Sequence, residues 1–550
     1  PRLLIMRFTH IFISVIATLM TAGCGSSANQ PAHKGTDEPI PTGDVTYAPS
    51  RVVEVLDRQQ EAAFRFFYDG ADPTTGMIYE GTERGECITT GGTGFGIMAL
   101  CVGVERGWIT RKQGTDRILK IISFLTNCER YHGAWSHWYN KDGTYMAFGK
   151  QKATGDLVET SFVMQGLLAA SEYFSRDNDA ESRLRESVEN LYNTVEWSFY
   201  TGNEGKGLYW LWYSGTNTYE LIISGWNEAL TTYLMALGAH DDNAIDTEIY
   251  RKGWGETAYR DRSTEGYSLP LGSQGWGGPL FFTHYSFLGY NPKLMMDDKC
   301  WYFQQNQAHA MLNRHHCLYK APGNFGYTAG LWGLTACYGA GTTPGYSARD
   351  PRNDDGVIAP TAALSSMPYT PFYSIQVLME LDRLNGTKGR YGFGDSYKPA
   401  ENAAEKRILA IDQGPIVIMI ENYRSGLVWD LLMKNKHARK GLEKAGIHEP
   451  KLPEGFVGVM PDSETTYCDL IQHPDRKMYE IDYSLDNAGR VTFGIRREDS
   501  KDYAKEFTVN ATAGISSVSF DAERITRGVT YIISMTVESG QSYMFKAILH

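Results

Sequence analysis

The sequence predicts a mainly α protein, an (α/α)6 toroid (barrel) followed by a small C-terminal β-sandwich-like domain. Three observations lead there. Apolar segments rich in Gly, Ala, Ser and Thr recur up to about residue 450, more amphipathic segments lie between some of them, and the remainder changes to short β-branched and aromatic runs. At 550 residues the chain exceeds what one core usually serves, so two domains are expected.

The elements follow in order. Residues 1–23 read as an export signal: Arg7 precedes an apolar run from Ile11 to Met20 that is too short to span a bilayer, then the small residues "TAGC". That ending makes Cys24 the first, lipidated residue of a lipoprotein; plain secretion is the alternative, because Thr21 stands where such signals usually carry Leu. The protein is therefore expected to be exported, as a periplasmic or outer-membrane lipoprotein, and to meet a membrane only through that lipid. Residues 24–50 are polar and proline-bearing, a flexible tether.

Residues 51–450 form the expected catalytic toroid. Its buried helices are predicted in "GGTGFGIMALCVGVERGW" near 91, "VETSFVMQGLLAASEYF" near 158, "GWNEALTTYLMALGA" near 225, "FTHYSFLGY" near 282, "YTAGLWGLTACYG" near 327, "PFYSIQVLMEL" near 371 and "IENYRSGLVWDLLM" near 420. A helix apolar all round is a buried one. Half-exposed helices such as "DRILKIISFLTNCER" alternate with these, which suggests two concentric rings. In 451–550, runs such as "RVTFGIRRE" and "TYIISMTVE", separated by turn signals, read as strands of a small sandwich with no catalytic constellation of its own.

A net charge of −11 and the lack of a long basic run argue against nucleic acid as a partner. No Cys-x-x-Cys or His-Glu-x-x-His occurs, so neither a metal nor a cofactor is indicated. Four connecting loops are instead aromatic and glycine-rich. They offer Trp135, His137 and Trp138, then Trp210 and Trp212, then Trp276, then Phe325, Tyr327 and Trp332, with Trp226 and Asn227 beside them in "SGWNEAL". Flat rings cover the C–H face of a sugar and polar groups take its hydroxyls, so these are candidate substrate-binding residues for a neutral carbohydrate.

Sugar hydrolysis needs two carboxyl groups, an acid for the leaving oxygen and a base or nucleophile. Asp156, Glu159 and Glu228 are predicted at the starts of buried helices, and Asp412 in "AIDQGPI" forms a further acidic group with Glu421. Asp156 and Glu159 also fit a capping box, Asp156 bonding a free amide and Glu159 reaching back. Three residues apart on one helix, they lie on one side of a substrate, so acid and base should come from different helices. A lyase using Tyr or His as base remains a competing chemistry.

Taken together, "TGGTGFGIMAL", "TGDLVETSFVMQGLL", "SGWNEAL", "GNFGYTAGLWGL", "DGVIAPTAALSSMPYTP" and "IDQGPIVIMIENYRSGLVW" resemble the bacterial glucoamylase-like proteins of glycoside hydrolase family 144. The resemblance implies endo-acting, inverting, metal-free hydrolysis of β-1,2-glucan to short sophoro-oligosaccharides. A monomer is expected. It also implies that Asp156, Glu159 and Glu228 are needed. We assign the acid to Glu228, and Asp412 is a weaker base candidate. Exo-acting hydrolysis of β-glucan, or a surface glycan-binding lipoprotein without turnover, are the alternatives.

Overall fold

The computed structural model describes residues 49–83, 85–147, 153–260, 263–265, 267–272, 275–450, 467–473, 478–485, 487–526, 529–540 and 542–549. The signal segment, Cys24 and most of the tether lie outside them. The first helix, α1 (Pro49–Tyr68), begins two residues inside the expected tether.

The inner ring starts with α2 (Thr90–Glu105), buried without interruption from Thr90 to Gly103, and continues with α4 (Leu157–Tyr173), buried from Leu157 to Ala170. Between them α3 (Arg111–Asn127) buries Gly114, Thr115, Ile118, Ile121, Ile122 and Leu125, the one-sided stripe of an outer helix. The next outer helix, α5 (Asp179–Asn193), has the same character. The two inner helices cross at backbone contact. A methyl group on Gly94 would come within 2.2 Å of the Phe162 carbonyl oxygen, and one on Gly166 within 2.2 Å of the Gly94 oxygen. Only glycines permit that approach.

The ring proceeds through α6 (Leu230–Gly238), two 3-10 turns at Leu280–Thr283 and Tyr285–Phe287, α8 (Pro360–Leu364) and α10 (Ala410–Arg424). It closes where α10 meets α2, with Gly414 against Phe95 and Gly92 against Ala410. Outside stand α7 (Tyr302–His315) and α9 (Pro371–Arg383), while α11 (Leu427–Lys434) and α12 (Lys436–Ala445) complete the helical domain. This is the (α/α)6 toroid.

Three expected helices take other forms. "IENYRSGLVWDLLM" is divided between α10 and α11 at Ser425 and Gly426, the latter left-handed at φ 73°. "FTHYSFLGY" supplies only the 3-10 turns, its β-branched and aromatic residues being poor helix formers. "YTAGLWGLTACYG" is a loop leading to the strand Ala336–Tyr338; Gly333, at φ 121°, has a backbone no helix accepts. The buried inner element of that part of the chain is α8 instead.

Among the described residues, the C-terminal region is a β-sandwich of seven antiparallel strands. Three of them, Tyr467–His473, Met478–Leu485 and Gly514–Asp521, form one sheet. Gly489–Arg497, Tyr503–Ala511, Val529–Val537 and Ser542–Leu549 form the other. Tyr479, Ile481, Phe493, Ile495, Tyr531 and Ile533 fill the space between them. The domain leans on α9, where the Tyr373 hydroxyl donates to Glu480 Oε1 at 2.5 Å.

Candidate active site

The acidic pair that could have been a capping box is half of one. Asp156 is the N-cap of α4, and its Oδ1 accepts from the Glu159 amide at 3.0 Å. Glu159 does not reach back. It crosses to the N-terminus of α2, where its Oε2 accepts from the Gly91 amide at 2.6 Å. The free Asp156 oxygen, Oδ2, takes the His137 Nδ1 proton at 2.9 Å, and His137 also lies 4.0 Å from Glu159 Oε1.

The hairpin carrying His137 is shaped by its turn: His132 and Gly133 both have left-handed φ (50° and 77°), as a two-residue hairpin turn requires. The Ser136 and His137 carbonyl oxygens then accept from the Thr90 hydroxyl and amide, at 2.5 and 3.1 Å, which ties the hairpin to the start of α2.

Burial opposes charge on His137, but Glu159, Asp156 and Glu80 outweigh it, and the imidazole is pushed up to about 9. It is a cation at neutral pH. Burial likewise pushes Glu159 up to about 7 against the pull of that cation.

Glu228 lies in the turn before α6, not on the helix; Asn227 closes that turn by accepting from the Ala229 amide at 2.9 Å. The Glu228 side chain is partly open to solvent, and among the described residues no other side chain hydrogen-bonds its carboxyl. Burial, then the charges of Glu159 and Asp156, push it up to about 8. A carboxyl still protonated at neutral pH and partly open to solvent suits a general acid.

Asp412 occupies the first turn of α10 and is buried beside Asp395. Burial and the Asp395 charge hold it well above the carboxylate range. Two further groups link the carboxyls into one site. Glu80 accepts from Trp138 Nε1 at 3.0 Å, and its own carbonyl takes the Ala410 amide at 3.0 Å, joining the His137 hairpin to α10. Tyr285 feels the charges of Asp412, Glu228, Glu159 and Asp395, which with burial keep its phenol protonated. Glu80, Tyr285 and Asp395 were not singled out from the sequence. Asp395 does stand in "RYGFGDSY", one more aromatic, glycine-rich loop of the kind that marked the others.

Several expected binding residues are elsewhere. Trp135 is core, its Nε1 donating to the Leu125 carbonyl at 2.9 Å; Trp226 packs on Trp254 and Phe287, and Trp332 is wholly enclosed. Trp210 and Trp212 lie on β2 (Tyr209–Tyr213), which pairs with β1 (Thr154–Asp156) so that Leu211 is opposite Asp156. Alternation turns both tryptophans to the other face, where Trp212 meets His132 and Phe199. Trp138 stays, edge-on to His137.

Trp276, Phe325 and Tyr327 gather around Asp354, partly exposed. The Tyr327 hydroxyl donates to Asp354 Oδ1 at 2.6 Å, His316 meets Oδ2 at 2.8 Å, and Trp276 stands edge-on to His316. Glu421 is not clustered with Asp412. It is held by Arg106, the residue that follows α2, Nε to Oε2 at 2.7 Å, while Arg424 pairs with Asp57. Among the described residues no His, Cys, Asp and Glu side chains are grouped to hold a metal ion.

This arrangement of carboxyls in a helical toroid can be compared with known proteins. Residues 220–436 match the family profile described as "Putative glucoamylase". A crystal structure bearing the same description, from Bacteroides uniformis, is 42% identical at a TM-score of 0.69, covering 72% of this chain and 98% of that one. The chain belongs to glycoside hydrolase family 144, the bacterial glucoamylase-like family. An endo-β-1,2-glucanase of Chitinophaga pinensis, solved with sophorotriose and glucose, is 40% identical at a TM-score of 0.67, covering 72% of this chain and 99% of that one. An exo-β-1,2-glucooligosaccharide sophorohydrolase of Parabacteroides distasonis is 39% identical over 435 residues, 73% of this chain. The chain spans only 59% of the length of that relative. Family 144 membership thus rests on the helical domain.

Proposed function

We propose that the protein hydrolyses β-1,2-glucan to short sophoro-oligosaccharides, endo-acting and with inversion. The observation that carries this is the Glu228 carboxyl, raised to about 8 and partly open to solvent, with the buried Asp412 acting on the same Tyr285. Glu228 donates its proton to the leaving glycosidic oxygen. Asp412, from another helix, takes the proton of the attacking water, and an inverting pair needs that division across the sugar ring. Asp156, Glu159 and His137 hold charge and position beside the acid. Trp138 packs edge-on against His137 behind these groups, and the Trp276, Phe325 and Tyr327 patch offers rings to more distant sugars.

The activity named for the Chitinophaga pinensis relative supports the endo reading; the name of the Parabacteroides distasonis relative favours exo cleavage as the second reading. Size-resolved products of linear β-1,2-glucan decide between them. A ladder of oligosaccharides supports endo cleavage, a single small product the exo reading, and no product over the course of the assay refutes both. The N-terminal sequence alone supports export and lipidation at Cys24, which metabolic labelling with a fatty acid tests in the parent and in Cys24→Ala. We read the enzyme as a monomer.

A further inference from the structure

We propose that the base of this hydrolase is not one carboxylate but a hydrogen-bonded pair, Asp395 with Asp412, that shares a single proton. The inference rests on the glucan-hydrolase reading and adds Asp395 to it. The two side chains come from separate parts of the chain. Asp395 precedes the strand Ser396–Lys398, its amide donates to the Arg407 carbonyl at 3.0 Å, and its Oδ2 accepts from the Tyr338 amide at 2.6 Å. Asp412 stands in the first turn of α10. Their carboxyls are in hydrogen-bonding contact, and both are buried.

Asp395 Oδ1 and Asp412 Oδ2 are enclosed and find no donor in the protein. Two carboxylates in contact repel, and buried acceptors without a donor are costly, so one proton held between them relieves both conditions. The surrounding charges mostly agree. Glu80 acts on Asp412 and Glu405 on Asp395, each favouring the proton, while Arg407 and the Tyr338 amide oppose it from the Asp395 side. Tyr285 and Tyr346 face the pair as neutral phenols. The Tyr338 amide stabilises an anion at Asp395, so the charge rests there and the proton on Asp412. Burial raises both groups, Asp395 to about 6 and Asp412 well above the usual range.

The step balances with no co-reactant. Water attacks the anomeric carbon, and its O–H bond breaks as the other carboxyl oxygen of Asp412 takes the proton. The proton already on Asp412 passes along the shared bond to Asp395, so the pair goes from one proton to two. On the leaving side the C–O bond breaks as Glu228 gives its proton to the glycosidic oxygen. Solvent then carries one proton from the pair back to Glu228.

Asp395→Asn keeps the shape but gives Asp412 a donor and removes the neighbouring charge, so Asp412 should ionise at neutral pH. Two readouts follow. Without substrate, the infrared carbonyl band of a protonated carboxylic acid, recorded in a Glu228→Gln background, should weaken in Asp395→Asn by one group. With β-1,2-glucan, kcat should fall roughly 100-fold or more while KM changes little, and the acid limb of the kcat profile should move. A folded Asp395→Asn enzyme with an unchanged band, or with the parent's kcat and pH profile, overturns the pair. If Asp395→Asn does not fold, Asp412→Asn must remove the same band. A parent that leaves β-1,2-glucan intact sinks the substrate assignment alone, since the infrared measurement judges the pair without it.

Discussion

Gly91→Ala tests whether Glu159 must stand where it does. Gly91 is the second residue of α2, and its amide holds Glu159 Oε2 at 2.6 Å. A methyl group there would sit 2.5 Å from Oε2, 2.9 Å from Cδ and 3.0 Å from Oε1. Those are closer than nonbonded contact by up to about 1 Å, so the carboxyl must retreat by a similar distance. Retreat breaks a hydrogen bond to a charged group, worth about 1.5–3 kcal/mol, and changes the spacing to His137. Alanine's better helix propensity returns up to about 1 kcal/mol, so the protein should fold with modest loss of stability. A catalytic group displaced by about 1 Å commonly loses on the order of 100-fold in rate. Initial rates on linear β-1,2-glucan, with calorimetric melting as control, measure both. A folded variant whose kcat/KM lies within about threefold of the parent's would refute the claim that this contact positions a needed group.

Three further outcomes are expected. Glu228→Gln should fold, bind glucan and lose roughly 100- to 10,000-fold in kcat, and the parent's rate should fall above pH about 8 as this acid ionises. Glu159, Glu228 and His137 all have raised folded-state pKa values, so the stability tied to them is greatest at low pH. It declines from about 4.5 through 7 and 8 for the carboxyls and from 6.5 through 9 for His137. Denaturant unfolding from pH 5 to 9 should show that decline, with a smaller slope in Glu228→Gln; a flat parent profile contradicts the raised values. Arg106→Met leaves the buried Glu421 charge without its main partner and should cost about 3–5 kcal/mol, read as a lower melting temperature with kcat little changed at 25 °C.

The sequence was legible wherever local composition decides structure. Unbroken burial of "TGGTGFGIMAL" follows from its lack of a polar face, and its glycines foretell the close crossing with α4. Asp156, Glu159 and Glu228 could be named because each breaks into an apolar context. Tryptophans were misread for a related reason: a Trp in a glycine-rich loop looks the same whether its ring faces a sugar or the core. Trp135 and Trp332 turn inward, and Trp212 is turned away by strand register that only pairing with residues 154–156 reveals. Asp395 and Glu80 belong to the site through contacts with α10, at separations in the chain that no local pattern carries.

What unites the carboxyls is the end of the barrel they occupy. Asp156 caps α4, Glu159 accepts from the second residue of α2, Glu228 precedes α6 by two residues, and Asp412 lies in the first turn of α10. Four inner helices thus bring their amide-rich N-termini to these carboxyls. Each end carries roughly half a positive charge, which favours acidic side chains there. That field helps a chain of net charge −11 gather so many carboxyls at one place. It does not dominate, because Glu159 and Glu228 remain above ordinary carboxylates. Burial therefore outweighs the helix ends at these two positions. The consequence is functional: fully stabilised carboxylates could not protonate a leaving group, and fully desolvated ones could not accept a proton. The toroid keeps Glu228 protonated where it is partly open to solvent, and leaves one charge on the buried Asp395–Asp412 pair.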